Sequence, residues 1–122
     1  MPQTPPLDPL DFLTLARELG CRPDEAALRT AVGRAYYALF LLARERLGIP
    51  LTTPDVHSQL ARVLRGQPGY WKTAGDLRVL RALRNVADYQ LLPDDPDDRD
   101  WAENWASAER IVRRVLPKLQ AL

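Results

Sequence analysis

The sequence predicts an all-α protein, a single-domain up-and-down bundle of about five helices, from three observations. Apolar residues recur at intervals of three and four along five segments, which is the period of a helix packed on one side. Glycine, proline and aspartate lie between those segments, where they cap or break helices. The alternation of apolar and polar residues that is typical of a strand is found in no segment.

The first helix is predicted at residues 9–19, after a proline-rich lead-in, residues 1–8, that we expect to be flexible. Asp8 suits the N-cap, and the proline that follows it suits the first helical position. Gly20 suits the position just past the last turn, where the backbone commonly adopts the left-handed conformation.

The second helix, predicted at residues 23–47 and ended by Gly48, is the longest. Two acidic residues in its first turn favour this start because of the helix dipole. Residues 35–43 are apolar over most of the circumference, as in a helix that is central in a bundle or shared between subunits. Because so small a bundle has difficulty covering such a helix on all sides, the sequence favours a homodimer. A strip of small residues allows close helix approach: Ala27, Ala31, Ala35 and Ala38.

Two further helices follow a short connector. Thr53 and Pro54 form a start signal for the third helix, which is predicted to end near Gly66. The segment "GQPGY" is a loop, and the fourth helix is predicted at residues 71–90. Gly75 weakens the first half of that helix because glycine has a low helix propensity.

The last helix is predicted from about residue 98 to the C-terminus, with Pro117 kinking or ending it. The acidic segment "DDPDDRD", residues 94–100, breaks the fourth helix and is interpreted as a solvated loop that caps the last one. The last helix has an apolar repeat of about 3.5 residues, which predicts a seam packed on neighbouring helices. The seam consists of Trp101, Trp105, Ala108, Val112, Val115 and Leu119.

The net charge is +1, from seventeen basic and sixteen acidic residues, and this is not the balance of a dedicated nucleic-acid binder. The charge is nevertheless uneven, because residues 57–90 carry six basic residues and two acidic ones, a local charge of +4. The segment could face an anionic partner, or it could be a solvated, arginine-rich helix face. Its basic residues are Arg62, Arg65, Lys72, Arg78, Arg81 and Arg84.

Several classes of protein are disfavoured. Cys21 is the only cysteine, so neither an internal disulfide nor a thiolate metal cluster can form. A single histidine argues against a zinc site, and we expect no metal and no cofactor. The longest apolar run, residues 35–43, is far shorter than the about 20 residues of a membrane span. The first ten residues do not resemble a signal peptide, so we expect a cytoplasmic protein without a membrane partner.

Two arginines interrupt apolar stripes. At about 100° per residue, Arg84 lies within an arc of leucine and alanine on the fourth helix, and Arg34 interrupts the stripe of the second. A buried charge without a partner is costly, so each arginine needs a partner or a wet cleft. Asp88 can pair with Arg84 on its own helix, or with Arg34 if the second and fourth helices are neighbours. The arginines therefore indicate either a buried ion pair that fixes the register of the bundle or a cleft for phosphate.

Three segments together resemble the HEPN domain (higher eukaryotes and prokaryotes nucleotide-binding): "LRTAVGRAYYALFLLARERLG", a lone histidine in "VHSQL", and "LRVLRALRNVADYQ". The resemblance covers roughly residues 10–91 and implies a helical bundle that usually dimerises. Many members are ribonucleases, with an arginine, often an asparagine after it, and a histidine a few residues later, in a composite site at the dimer interface. Other members lack the histidine, carry an arginine followed by Ala-Asp-Tyr, and often occur beside a small nucleotidyltransferase.

This chain is similar to the second group. Arg84 and Asn85 match the start of the ribonuclease motif, but Tyr89 occupies the first position at which the histidine would stand. Cleavage by transfer of the 2′-hydroxyl proton needs a base that titrates near neutrality, and free tyrosine, with a pKa of about 10, is a poor one. If the chain is active, the candidate catalytic residues are Arg84, Asn85 and Tyr89. His57 could supply the base if the fold brings it to Arg84; otherwise it makes a local hydrogen bond at a helix start.

The resemblance implies a nucleotide- or RNA-binding module without catalysis, and as a partner a small nucleotidyltransferase in a toxin–antitoxin or defence system. One alternative is a metal-independent ribonuclease with a composite site at the dimer interface. Another is a purely structural dimerisation module. The candidate binding residues are Arg34, Tyr37, His57, Arg81, Arg84 and Asp88.

Overall fold

The computed structural model describes residues 6–50 and 54–122, and in these ranges the chain forms five α-helices. They are α1 (Pro9–Gly20), α2 (Glu25–Leu47), α3 (Val56–Arg65), α4 (Trp71–Tyr89) and α5 (Trp101–Gln120). A short 3₁₀ helix, Pro96–Arg99, precedes α5. The described ranges contain no strand, so the predicted all-α bundle is confirmed. Most of the predicted lead-in, and Thr53, lie outside the described residues.

Aspartates set the start of three helices. Asp8, Asp24 and Asp100 each accept a hydrogen bond from a backbone N–H in the first turn of α1, α2 and α5. Such caps satisfy N–H groups that have no partner within the helix. Asp24 is therefore the cap of α2 rather than part of it, and α2 begins at Glu25, later than the predicted residue 23. The acidic segment before α5 caps it through Asp100, as predicted.

The third helix is shorter than predicted. It begins at Val56 rather than at Pro54, because the backbone of Asp55 has a non-helical conformation, with φ −116° and ψ 57°. The side chain of Asp55 makes no capping hydrogen bond. The helix is closed by Gly66, as predicted, and its buried residues are Leu60 and Leu64.

Gly48 and Gly20 have different roles. Gly48 ends α2 in the left-handed conformation at φ 66°, as predicted, and glycine takes this conformation at little cost. Gly20 is the last residue of α1 instead, and Cys21 beyond it is right-handed. A Cβ at Gly20 would overlap the indole ring of Trp105 on α5. The glycine is thus required for close packing of α1 on α5, and the predicted left-handed cap at Gly20 was wrong.

The apolar seam of α5 packs into the bundle. Five of its six predicted residues are buried, and Trp105 is partly buried against them. Pro117 does not end the helix, which continues to Gln120, so this alternative was wrong. Proline removes one N–H donor. Near the end of a helix that loss deprives a single carbonyl group of its partner, and the last turn still forms.

The centre of the bundle is α2, which packs against each of the other four helices. All residues of the apolar stretch 35–43 are buried except Tyr37 and Leu41, which are partly buried against the core. The four alanines of its small-residue strip are also buried. One chain therefore covers this helix, and the argument for a homodimer from an uncovered α2 no longer applies. None of the described helices combines the length and the apolarity that crossing a bilayer requires.

Candidate functional site

A cleft lined by four arginines opens between α3 and α4. It has a volume of about 180 Å³. Arg62 and Arg65 come from α3, and Arg78 and Arg81 come from α4. We call it the arginine cleft. Its lining also includes His57 of α3 and Tyr36 of α2, and it contains no acidic side chain among the residues that the structure describes.

The same tetrapeptide, RVLR, places both pairs of arginines. It occurs at residues 62–65 on α3 and at residues 78–81 on α4. In each copy the leucine, Leu64 or Leu80, is completely buried. Residues three apart lie on the same side of a helix, so the two arginines of a copy share one face, and the buried leucine lies on another. Because α3 and α4 pack against each other, the arginines of both copies line one cleft.

Tyr36 and His57 lie at the inner end of the arginine cleft. The Tyr36 hydroxyl and His57 Nδ1 are 2.7 Å apart, in hydrogen-bonding contact. The imidazole also stacks on Phe40, with the ring centroids 4.4 Å apart. The fold thus holds the only histidine of the chain in one orientation between the core and the cleft.

The environment favours the neutral forms of both groups. Burial lowers the pKa of His57 from its ordinary 6.5, and the charges of Arg81 and Arg84 lower it further, against a weaker opposite effect of Asp55. Burial raises the pKa of Tyr36 to about 12, and the same two arginines oppose that shift. Both groups are therefore uncharged near pH 7, so the four arginines supply the charge of the cleft.

Arg84 lies further along α4, in a cluster with the residues that follow it. Its Nε lies 3.0 Å from Asp88 Oδ2, which confirms the predicted pair on the same helix. Its Nη1 donates to Asn85 Oδ1 at 3.0 Å. The guanidinium carbon lies 5.6 Å from the ring centre of Tyr89, a side chain that is 73% exposed. The fold thus brings together all four polar residues of "RNVADY".

The Arg84–Asp88 pair is not a buried one. The side chain of Arg84 is 25% exposed and that of Asp88 is 31% exposed. A pair that is partly solvated in this way stabilises a fold by about 1 kcal/mol or less. Asp88 Oδ1 would lie 3.1 Å from a Cβ at Gly33, so α2 and α4 are close neighbours here. The alternative of a fully buried ion pair was wrong.

Arg34 and Tyr37 lie on a different side of α2, the side that faces α1. The Arg34 guanidinium carbon is 4.8 Å from the ring centre of Tyr37 and 5.8 Å from that of Phe12. Contact with aromatic faces stabilises a guanidinium that interrupts an apolar stripe. Arg34 does not pair with Asp88. Of the two predicted partners of Asp88, the structure shows Arg84.

The sequence reasoning missed several residues of this region. Arg62, Arg65 and Arg78 were assigned only to a basic segment, although the repeated RVLR tetrapeptide could have identified them. Tyr36 gave no signal in its apolar helix. Arg29 of α2 was also missed, and no pattern marks it. Its guanidinium donates to the carbonyl groups of Ala87, Gln90 and Leu91 at the end of α4.

The residues that the structure describes include no group of three histidine, cysteine or acidic side chains that could hold a metal ion. The chain matches no protein-family model, no curated protein and no solved structure. The resemblance to HEPN domains therefore remains a prediction that rests on the motifs quoted above.

Proposed function

We propose that the protein binds the phosphate groups of a nucleotide or an RNA strand in the arginine cleft. The observation that carries this proposal is that four arginines line one cavity whose described lining has no acidic residue. Guanidinium groups bind phosphate oxygens through paired, charge-assisted hydrogen bonds.

The pairing of the other arginines supports the proposal. Among the residues that the structure describes, seven arginines form salt bridges, and none of the four cleft arginines is one of them. The Nε of Arg81 is moreover buried, with no hydrogen-bond partner among the described atoms. Like charges that converge without counter-charges destabilise a fold, and a bound anion removes that cost. Arg62, Arg65 and Arg78 are exposed, as the alternative of a solvated helix face also expects, so a binding experiment has to decide between the two.

The proposal agrees with the nucleotide- or RNA-binding role expected from the resemblance to HEPN domains. Association with a small nucleotidyltransferase, and membership of a toxin–antitoxin or defence system, rest on that resemblance alone. Gene neighbourhood tests this part, because a nucleotidyltransferase gene is expected beside the gene for this chain.

Binding can be tested by fluorescence anisotropy with a labelled adenosine nucleotide and a labelled RNA. We expect Arg78→Ala and Arg81→Ala each to weaken binding about tenfold or more, since a charge-assisted hydrogen bond contributes about 1.5–3 kcal/mol. Affinity should also fall as salt increases, because binding of phosphates releases counterions.

The matched control is Arg113→Ala on α5, which removes the same charge from an exposed side chain that pairs with Glu109. It should bind like the wild type. If the cleft variants keep the affinity of the wild type, or if neither probe binds, the proposal is wrong.

A second candidate function, metal-independent RNA cleavage, is favoured by the position of His57. Its imidazole titrates below 6.5, and Arg81 and Arg84 are close enough to lower its pKa. In such a reaction a neutral imidazole removes the 2′-hydroxyl proton, the 2′-oxygen bonds to phosphorus, the bond from phosphorus to the 5′-oxygen breaks, and the 5′-oxygen takes a proton from water. Guanidinium groups stabilise the charge that develops on the phosphate oxygens. His57, rather than the exposed Tyr89, is then the candidate base.

This candidate is tested by incubating RNA with the protein in the presence of EDTA. If the protein is a ribonuclease, His57→Gln and Arg84→Ala should each lower the rate at least a hundredfold, since a general base contributes about 10²–10⁴. Equal weak cleavage by the wild type and both variants would indicate a contaminant and exclude the candidate.

A further inference from the structure

The arginine cleft continues into a second cavity along the same pair of helices. This cavity has a volume of about 310 Å³. We call it the tryptophan cavity, because Trp71 at the start of α4 lines it. It shares Ala61, Arg65 and Arg78 with the arginine cleft. The two cavities are thus parts of one groove between α3 and α4.

The tryptophan cavity combines positive charge with exposed apolar surface. Trp71 is 74% exposed and Val79 is 58% exposed. Lys72, Arg65 and Arg78 supply the positive charge. The one acidic residue in its lining, Asp76, is paired with Arg114 of α5 at 3.3 Å. An exposed indole beside cations is the combination on which bases of single-stranded nucleic acids stack while their phosphates are bound.

Gly75 keeps the tryptophan cavity open. A Cβ at this position would meet no atom within 4 Å among the described residues. Glycine also lowers the stability of a helix relative to alanine, by about 1 kcal/mol. A Cβ therefore fits at Gly75 without a clash, and we expect a larger side chain that extends from it to block the groove while α4 stays intact.

We propose that this groove binds a single strand of RNA, with backbone phosphates in the arginine cleft and at least one base stacked on Trp71. The inference rests on the proposed function and narrows its ligand from nucleotides in general to a strand. Trp71 and Arg81 are ten residues apart on α4, which is about 15 Å along the helix. Several nucleotide steps of about 3.4 Å each span that length, so a strand can bind Arg81 with one phosphate and stack a base on Trp71 at the same time.

The experiment compares two probes, a fluorescein-labelled single-stranded RNA of eight nucleotides and a labelled adenosine diphosphate. We expect Trp71→Ala and Gly75→Leu each to weaken binding of the RNA about tenfold, since the loss of one stacked base weakens binding by roughly 5- to 150-fold. Binding of the adenosine diphosphate should stay unchanged. Trp71→Phe should restore most of the affinity for RNA, because phenylalanine keeps an aromatic face.

Leu92→Ala is the control for removal of an exposed apolar side chain outside the groove, and it should bind both probes like the wild type. If Trp71→Ala and Gly75→Leu bind the RNA like the wild type while Arg81→Ala weakens both probes, the strand inference is wrong and the proposed function stands. If the wild type binds neither probe, both fail. Poly-glutamate serves as a competitor. If it displaces the labelled RNA as well as unlabelled RNA does, and if its binding also depends on Trp71, the ligand is an acidic protein segment and the inference is wrong.

Discussion

His57 connects the core of the protein to the arginine cleft, and its titration should report on both. Burial and the charges of Arg81 and Arg84 lower its pKa below 6.5, so the unfolded chain takes up a proton before the folded chain as the pH falls. The stability that neutral His57 provides is therefore complete above pH 6.5. It is lost as the pH falls through the pKa of the folded state.

We expect the NMR titration of His57 to have its midpoint below pH 6.5. As this is the only histidine of the chain, its ring signals need no assignment. Arg81→Met should raise the midpoint, because the Arg81 charge lowers the pKa in the folded protein. Saturating adenosine diphosphate should also raise it, because a bound anion favours the imidazolium form. A midpoint at or above 6.5 in the free wild type would contradict the described environment.

Individual residues differed in how far the sequence identified their roles. Arg84 was conspicuous because it interrupts an apolar arc, and its partner Asp88 followed from helix geometry. The exposure of that pair was not predictable, because it depends on how closely neighbouring helices cover α4. Tyr36 could not be identified as part of the cleft either, since only its contact with His57 distinguishes it from a core tyrosine.

At the scale of secondary structure, the end of α4 depends on Arg29 of α2. Its guanidinium donates to the carbonyl group of Ala87 in the last turn of α4 and to those of Gln90 and Leu91 just beyond the helix, and it lies 4.5 Å from the ring centre of Trp101. The last carbonyl groups of a helix have no partner within it, so a cation there satisfies them and interacts favourably with the helix dipole. Arg29 thereby joins α2, α4 and α5 at one end of the bundle.

Arg29→Met should lower the free energy of unfolding by about 2 kcal/mol. The substitution keeps much of the apolar stem and removes hydrogen bonds from a charged donor, which contribute about 1.5–3 kcal/mol. Urea unfolding measures the change. Arg113→Met, at a side chain that is 73% exposed, is the control and should change stability by less than about 0.5 kcal/mol. Equal stabilities of the two variants would show that the Arg29 contacts do not hold the end of α4.

The helix bounds were predictable where a capping residue marks them. Asp8 and Gly48 mark their helices directly, and both predictions were confirmed. The late start of α3 was not predicted, because Thr53 and Pro54 form a start signal that the backbone conformation of Asp55 does not follow. The 3₁₀ helix at Pro96–Arg99 was not predicted, because proline and aspartate are equally typical of loops. The role of Gly20 could not be predicted, since it depends on a tryptophan ring that is distant in the sequence.

At the scale of the whole molecule, the charge is nearly balanced but is separated in space. The net charge of +1 conceals the groove between α3 and α4, where five basic side chains line two connected cavities. The sequence predicted the basic segment and the bundle. It could not predict that the RVLR copies face each other, because periodicity shows which side of a helix is buried and not which helices meet. The homodimer and the structural-module alternative stay predictions.

The two walls of that groove are anchored unequally. On one side α4 packs on α2, α3 and α5 and has its end held by Arg29. On the other side α3 is the shortest of the described α-helices and buries only Leu60 and Leu64. Elements with few buried contacts open at lower free energy than the rest of a fold. We therefore expect α3 to open more readily than α4, so that the width of the groove adjusts to a ligand while the arginines of α4 keep their spacing.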